Sequence, residues 1–173
     1  MILRPFQLSD AKTVQHLAGN KEITSRTGMI PYPYPDGLAE SWIQGHPTGF
    51  ANGTEVVCAI TLKGNGELVG CMSLAGISKK HQKGEIAYWV AVDHWGKGYC
   101  TEAGQVLVKY AFEQLKLNKI TSRHKVTNPA SGKVMQKLGM SYEGTLRQEM
   151  FSEGVFVDLA VYGLLKSEYS TNS

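Results

Sequence analysis

A glycine-rich turn between a predicted strand and a predicted helix is the segment of this sequence best suited to binding chemistry. The turn reads Trp95-Gly96-Lys97-Gly98-Tyr99-Cys100-Thr101. Such a turn directs free backbone N–H groups at one point, and the dipole of the following helix adds positive potential there. The segment therefore predicts a phosphate site, although a pair of glycines also suits an ordinary tight turn.

Two common phosphate-binding motifs do not account for this turn. The spacing GxxxxGK(S/T) of a Walker loop is absent. A dinucleotide-binding turn would use Gly96 and Gly98, but Thr101 occupies the place of its third glycine. The next predicted strand ends at Lys125-Val126 and offers no acid for a ribose hydroxyl. A nicotinamide dinucleotide is therefore not expected.

The turn resembles the pyrophosphate loop of the GNAT acetyltransferase superfamily, whose pattern (Q or R)-x-x-G-x-(G or A) aligns with Trp95 to Cys100. Tryptophan and cysteine depart from that pattern. Trp-Gly-Lys-Gly-Tyr followed by Thr101-Glu102-Ala103 is similar to the RimJ/RimL branch, in which tryptophan at the first place is common. The resemblance extends, in order, through Leu3-Arg4-Pro5, the Pro-Tyr-Pro loop, Ile86-Ala87-Tyr88-Trp89-Val90, Asn128-Pro129-Ala130-Ser131, Lys137-Leu138-Gly139-Met140, Glu143-Gly144 and Val157-Asp158.

The resemblance implies an α+β fold of the GNAT type, with a mixed, mostly antiparallel sheet, helices on both faces and a V-shaped splay between two central parallel strands. It implies an N-acetyltransferase with acetyl-CoA (coenzyme A) as cosubstrate. The pantetheine arm would pair with backbone groups of the strand that contains Val90 and Val92, and an N–H near Val90 would hold the thioester oxygen. The residues expected to bind the diphosphate are Trp95, Gly96, Lys97, Gly98, Tyr99, Cys100 and Thr101.

Two polar residues, Asn128 and Ser131, follow the next predicted strand. In similar proteins these places hold an asparagine that contacts the cofactor and a hydroxyl near the thioester sulfur. The resemblance therefore implies that Ser131 protonates the departing thiolate. An alternative reading is structural, because Asn128 before Pro129 is also a good helix N-cap and Ser131 would then lie in the first turn.

The attacking amine needs a proton acceptor, since an amine with a pKa of about 10 is mostly protonated at neutral pH. Glu85, on the strand expected to pair with the cofactor, occupies about the place where some superfamily members keep their base. It could equally be a solvated strand residue. The acid of the RimL enzyme falls here on Met150, and its neighbour Glu149 would face the other way unless a bulge shifts the register.

Tyr32 and Tyr34 lie in the proline-stiffened segment Pro31–Pro35. The family's substrate cleft lies beneath the corresponding loop, so both are candidates for the acceptor wall, with packing roles as the alternative. Neither Cys-His nor Ser-His-Asp arrangements can be inferred, so we expect direct attack on acetyl-CoA in a ternary complex. Cys100 is then expected to line the cofactor site and not to act as a nucleophile.

The elements that position these residues follow from periodicity and turn signals. A strand over Ile2–Pro5 precedes a helix that starts near Ser9-Asp10 and ends at Gly19 or Asn20, and Asp36 is expected to cap a short second helix. The other predicted strands are Glu55–Leu62, Glu67–Ile77, Glu85–Val92, Ile120–Val126, Leu146–Phe151 and Val155–Leu165. Further helices are expected over Tyr99–Leu115, with Val106, Leu107, Tyr110, Ala111 and Leu115 on its buried face, and from Pro129 to Gly139.

Composition limits the class of protein and its partners. The 173 residues, 42% of them hydrophobic and 19% charged, suit one globular domain spanning 1–173. A net charge of +3 without a basic run argues against a nucleic-acid partner. Five histidines without ligand spacing and three cysteines without CxxC spacing predict no metal and no disulfide framework.

No secretory or membrane-spanning segment is evident, so a cytoplasmic location without a membrane partner is expected. Three functions stay open at this stage. They are acetylation of a protein N-terminal α-amine, acetylation of a small amine such as a polyamine, an amino acid or a drug, and non-catalytic binding of acyl-CoA. One chain does not set the oligomeric state, and a homodimer is compatible with the resemblance.

Overall fold

The computed structural model describes residues 1–170, and seven strands of that part form a single sheet. The strands are β1 (Ile2–Pro5), β2 (Val56–Thr61), β3 (Leu68–Ser78), β4 (Lys83–Val90), β5 (Lys119–Lys125), β6 (Ser141–Ser152) and β7 (Val155–Leu165). Their order across the sheet is β1-β2-β3-β4-β5-β7-β6. Among the strands of residues 1–170, only β4 and β5 pair in parallel, so the predicted mixed, mostly antiparallel sheet is confirmed.

Helices pack on both faces of this sheet, as predicted. They are α1 (Ala11–Ala18), α2 (Lys21–Thr27), α3 (Leu38–Asn52), α4 (Tyr99–Glu113), α5 (Pro129–Lys137) and α6 (Lys166–Ser170). On one face, α4 and α5 bury side chains such as Phe112 and Met135 against the sheet. On the other face, α1 and α3 contribute Val14 and Ile43 to a second core that includes Trp89 of β4.

The predicted elements agree with the structure where periodicity or turn chemistry is strong. β1 and β7 match their predicted bounds, and the turn Gly64–Gly66 joins β2 to β3 as a hairpin. In α4, Leu107 and Ala111 are buried as expected. Val106 is 49% exposed, so its assignment to the buried face of α4 was wrong.

The region before β2 differs from the prediction. Gly19 ends α1, and Asn20 starts a further helix, α2, since its side chain accepts the backbone N–H of Glu22. This short helix, rich in β-branched residues, lacks a strong sequence signal. The prediction that Asp36 caps the next helix was wrong: α3 begins after Gly37, whose φ is 78°, and the Asp36 carboxylate accepts a hydrogen bond from Gln15.

A wedge-shaped gap separates β4 from β5, which confirms the predicted splay. The two strands pair only from Lys83–Glu85 against Lys119–Thr121. Beyond this point β4 continues along β3 while β5 continues along β7. At the apex, the hydroxyl of Ser122 donates to the Ile86 carbonyl over 2.8 Å and takes the place of a ladder hydrogen bond.

The strand expected to run to Val92 ends at Val90. Val92 begins a short 3-10 turn, because the N–H groups of His94 and Trp95 donate to the carbonyls of Ala91 and Val92. The turn redirects the chain from β4 into the glycine loop, so Val92 does not lie on the strand that borders the gap. Within residues 1–170, no helix has the length and apolar character needed to cross a membrane.

Candidate active site

A cavity of about 1160 Å³ follows the gap between β4 and β5. One end is lined by the glycine loop and the first turns of α4 and α5, and the other end by α1, α2, the proline loop and β6. The predicted site residues in its wall are Tyr34, Glu85, Val90, Trp95, Gly96, Gly98, Tyr99, Cys100, Thr101, Asn128 and Ser131.

Three predicted site residues lie outside this wall. Val92 is in the turn after β4, and Lys97 is on the exposed side of the loop. Tyr32 is 61% exposed, and the ammonium of Lys21 lies 6.0 Å from its ring centroid. Of the two loop tyrosines, the structure therefore brings only Tyr34 to the cavity.

The glycine loop presents unpaired backbone donors at the start of α4. Gly96 and Gly98 have φ values of 74° and 84°, which favour glycine because it has no Cβ. The N–H of Glu102 donates to the Gly98 carbonyl, so the N–H groups of residues 99–101 precede the first hydrogen bond within the helix. These groups and the positive end of the helix dipole suit a diphosphate.

Trp95 connects the glycine loop to β4 and to α2. Its indole Nε1–H donates to the Val90 carbonyl over 2.6 Å. The guanidinium of Arg26 lies 4.9 Å from the centroid of the indole ring, in a cation-π contact. Tryptophan at the first loop position therefore fixes the end of β4.

The backbone of β4 leaves one donor facing the gap near its end. The N–H of Ala91 donates to Val69 on β3, so the alternate residues Tyr88 and Val90 direct their backbone groups towards β5. The Val90 carbonyl is occupied by Trp95. The Val90 N–H borders the open part of the gap, at the place where a donor to the thioester oxygen is predicted.

A pair of hydroxyl groups lies at the start of α5. The Tyr88 hydroxyl is 2.9 Å from both the carbonyl oxygen and the Oγ of Ser131. Burial raises the pKa of Tyr88 well above its usual value, so the phenol keeps its proton at neutral pH. Asn128 makes no side-chain cap hydrogen bond with α5, which weakens the purely structural reading of this residue.

An ion-pair network crosses the sheet on the other side of the gap. Arg123 donates to both carboxylate oxygens of Glu85, over 2.8 Å and 3.2 Å, and its Nη1 lies 3.9 Å from Glu149. Glu85 raises the pKa of Arg123. The register of β6 shifts between Leu146 and Met150, and this bulge brings both Glu149 and Met150 to the cavity wall.

The sequence prediction missed Tyr88, Arg123 and Arg26. Tyr88 alternates with Ile86 and Val90 in a strand pattern that also describes core residues. A signal was present, since a buried tyrosine hydroxyl needs a hydrogen-bond partner. The charge of Arg123 in a central strand was a second signal.

The cysteines and histidines show no arrangement for covalent or metal chemistry within residues 1–170. No group of potential ligands in this part of the chain could hold a metal ion. Burial raises the pKa of Cys100 to about 12, and burial raises that of Cys71 further. Neither thiol supplies an appreciable thiolate at neutral pH.

A splayed parallel strand pair, with a helix N-terminus at its open end, is the arrangement of an acyltransferase that takes its acyl group from coenzyme A. The chain belongs to the GNAT acetyltransferase family, since the model of the acetyltransferase (GNAT) domain matches residues 1–141. It is an N-acetyltransferase that uses acetyl-CoA, and the reading as a non-catalytic binding module is set aside.

Known proteins similar to the chain differ in their acceptors. A spermidine N(1)-acetyltransferase of Vibrio cholerae is 28% identical over 173 residues, which cover 100% of this chain and 97% of that protein. A ribosomal-protein-serine acetyltransferase of Escherichia coli is 30% identical over 96 residues, 56% of this chain and 54% of that protein. A crystal structure of a probable acetyltransferase has a TM-score of 0.87 and 30% identity, covering 95% of this chain and 92% of that one.

Proposed function

We propose that the enzyme acetylates the N-terminal α-amine of a protein or peptide by direct attack on acetyl-CoA in a ternary complex. The observation that carries this proposal is the charge of the cavity wall. Away from α5, whose Lys133 and Lys137 lie at the cofactor end, its acidic residues are Glu55, Glu85 and Glu149 and its basic residues are Arg26, Arg123 and Lys125. This part of the wall has no excess of negative charge to hold the several ammonium groups of a polyamine, whereas a monoamine needs one carboxylate.

The relatives include both acceptor classes, and the charge balance supports the peptide acceptor. Acetyl-CoA consumption, measured over N-terminal peptides, polyamines, amino acids and aminoglycosides, tests the proposal. We expect kcat/KM for the best peptide to exceed that for spermidine by at least about tenfold, or about 1.4 kcal/mol. A higher kcat/KM for spermidine would overturn the proposal and favour the polyamine alternative.

The acceptor nitrogen loses two protons on the way from ammonium to amide, and the departing sulfur gains one; we assign these transfers to the two sides of the gap. Glu85 accepts a proton from the acceptor ammonium, which frees the nitrogen lone pair for attack. The N–C bond forms as the C–S bond breaks, the Val90 N–H holds the carbonyl oxygen, and Ser131 gives its proton to the departing sulfur. Tyr88, which still carries its proton, passes it to Ser131 and takes up the second proton that the new amide nitrogen releases.

Replacing Glu85 by glutamine tests the base. Since glutamine cannot accept the proton, kcat/KM for the amine is expected to fall by about 100-fold at pH 7. The deficit should shrink as the pH approaches the pKa of the amine, where free amine is abundant. Glu149→Gln is the matched control, because it removes the other carboxylate beside Arg123. A larger loss in E149Q than in E85Q would move the base to Glu149.

Replacing Cys100 by alanine tests direct attack. Because the pKa of this thiol is raised to about 12, we expect the rate of single-turnover transfer to change by less than about threefold. Quench-flow measurement with pre-bound acetyl-CoA gives this rate. Loss of transfer in C100A with unchanged acetyl-CoA binding would indicate a covalent acyl-enzyme instead.

A further inference from the structure

Lys125 is a buried charge in the cavity wall to which the reaction described above gives no role. The residue is 4% exposed, and it takes part in none of the ion pairs found within residues 1–170. Burial lowers the pKa of Lys125, and the more distant Glu153 acts in the opposite direction. Lysine is rarely buried without a carboxylate partner, since removing an ammonium from water is unfavourable.

Two hydrogen bonds hold the ammonium of Lys125. It donates to the Ser25 carbonyl over 2.6 Å and to the Ser152 hydroxyl over 2.7 Å. Ser25 lies in the last turn of α2, where carbonyls lack partners within the helix and the dipole is negative. These contacts fasten α2 to the sheet. They use two of the three N–H donors of an ammonium, so the third is available to a ligand in the cavity.

The position of Lys125 relative to the ion-pair network suits a particular acceptor. Arg123 and Lys125 are two residues apart on β5 and lie on the same face, with their Cα atoms about 7 Å apart. Glu85 and Glu149 flank Arg123 and provide negative charge for an ammonium. The side chains of Lys125 and the apolar Met150 both lie next to Gly28, and Met150 supplies no counter-charge. Along this part of the cavity wall, carboxylate groups and the Lys125 ammonium thus lie within a few ångströms of one another.

We propose that Lys125 is a specificity-determining residue that donates to the carbonyl or carboxylate group adjacent to the acceptor amine. An α-amino acyl unit carries its ammonium and its carbonyl on the same carbon, so it spans the distance between the carboxylates and Lys125. A simple alkylamine lacks the carbonyl, and a polyamine places a second positive charge there. The inference rests on the proposed function and narrows its acceptor to amines of the α-amino acyl class.

Two acceptors that differ only in the carbonyl group test this inference. Phenylalaninamide and phenethylamine share an amine and an aromatic side chain, and only the first has the carboxamide. In the unaltered enzyme, kcat/KM for phenylalaninamide is expected to exceed that for phenethylamine by at least about 30-fold. In Lys125→Met, which keeps the length of the side chain without its charge, the ratio should fall by at least about tenfold.

The ratio of kcat/KM for phenylalaninamide to kcat/KM for phenethylamine separates recognition by Lys125 from a purely structural role of this residue. Ser152→Ala removes one of the hydrogen bonds that fasten Lys125 but keeps the ammonium, so it should keep most of the discrimination. If Lys125→Met folds poorly, Lys125→Arg serves instead: it keeps the positive charge and should keep part of the discrimination. Equal losses for both acceptors in K125M would overturn the inference while leaving the α-amine proposal intact. If neither phenylalaninamide nor any peptide is acetylated, the proposed function itself has failed.

Discussion

Replacing Gly98 by valine is expected to weaken acetyl-CoA binding by at least about 100-fold, or about 2.7 kcal/mol. Gly98 has a φ of 84° and precedes the first residue of α4, and a Cβ there would enter open space. A β-branched side chain at this position disfavours the left-handed backbone and obstructs the N–H groups at the helix start. Isothermal titration calorimetry with acetyl-CoA measures the loss of affinity.

Backbone strain at Gly98 could also lower the affinity for acetyl-CoA by destabilising the fold. A second glycine with a similar φ separates this effect from a direct effect on the binding loop. Gly154, in the turn between β6 and β7, has a φ of 83°, and a Cβ there would also enter open space. It does not line the cavity. Gly154→Val should therefore lower the melting temperature by a similar amount and leave the Kd for acetyl-CoA within about threefold. Equal losses of affinity in G98V and G154V would contradict a direct role for the loop.

Replacing Ser131 by alanine is expected to lower kcat by about 100-fold or more, as for the loss of a general acid. The Ser131 hydroxyl lies beside the gap with the Tyr88 phenol 2.9 Å away, and we propose that it protonates the departing sulfur, so its removal should leave that sulfur without a positioned proton. Affinity for acetyl-CoA should change little, because the proposed diphosphate site is the glycine loop. Steady-state kinetics with a saturating acceptor give the split between kcat and KM.

Replacing Tyr88 by phenylalanine tests whether its hydroxyl and that of Ser131 act together. Tyr88→Phe should lower kcat by about tenfold, and in the double variant the two losses should not add if both residues act in one proton transfer, as we propose. Ser73→Ala is the matched control: this serine also lines the cavity, but it lies on β3, and its hydroxyl donates to the Ala87 carbonyl. A kcat in S131A equal to that in S73A would leave Ser131 with only a structural place in the first turn of α5.

The glycine loop could be predicted from sequence because its function depends on the backbone. Two glycines before an amphipathic helix determine where the free N–H groups lie, and the structure places Gly96, Gly98 and the start of α4 as that pattern requires. The hairpin between β2 and β3 was predictable for the same reason, since its turn residues are local signals. The GNAT family assignment rests on such local segments in a fixed order.

Contacts between side chains distant in sequence could not be predicted in this way. Tyr88 and Ser131 are 43 residues apart, and Glu85 and Arg123 are 38 residues apart. Which of these side chains meet depends on strand register, and a slip of one residue turns each side chain to the other face. The β6 bulge is an example. It brings Glu149 to the cavity wall beside Met150, whereas the sequence did not show whether such a bulge is present.

We expect backbone donors in two places, the start of α4 and the end of β4, to bind acetyl-CoA. Amide chemical shifts of the 15N-labelled protein, followed by NMR during titration with acetyl-CoA, test both places at once. We predict the largest shifts at Tyr99, Cys100 and Thr101 and at Val90, with saturation at a common Kd. Saturable binding that leaves these four amides unchanged, or no binding by the folded protein, would contradict the account.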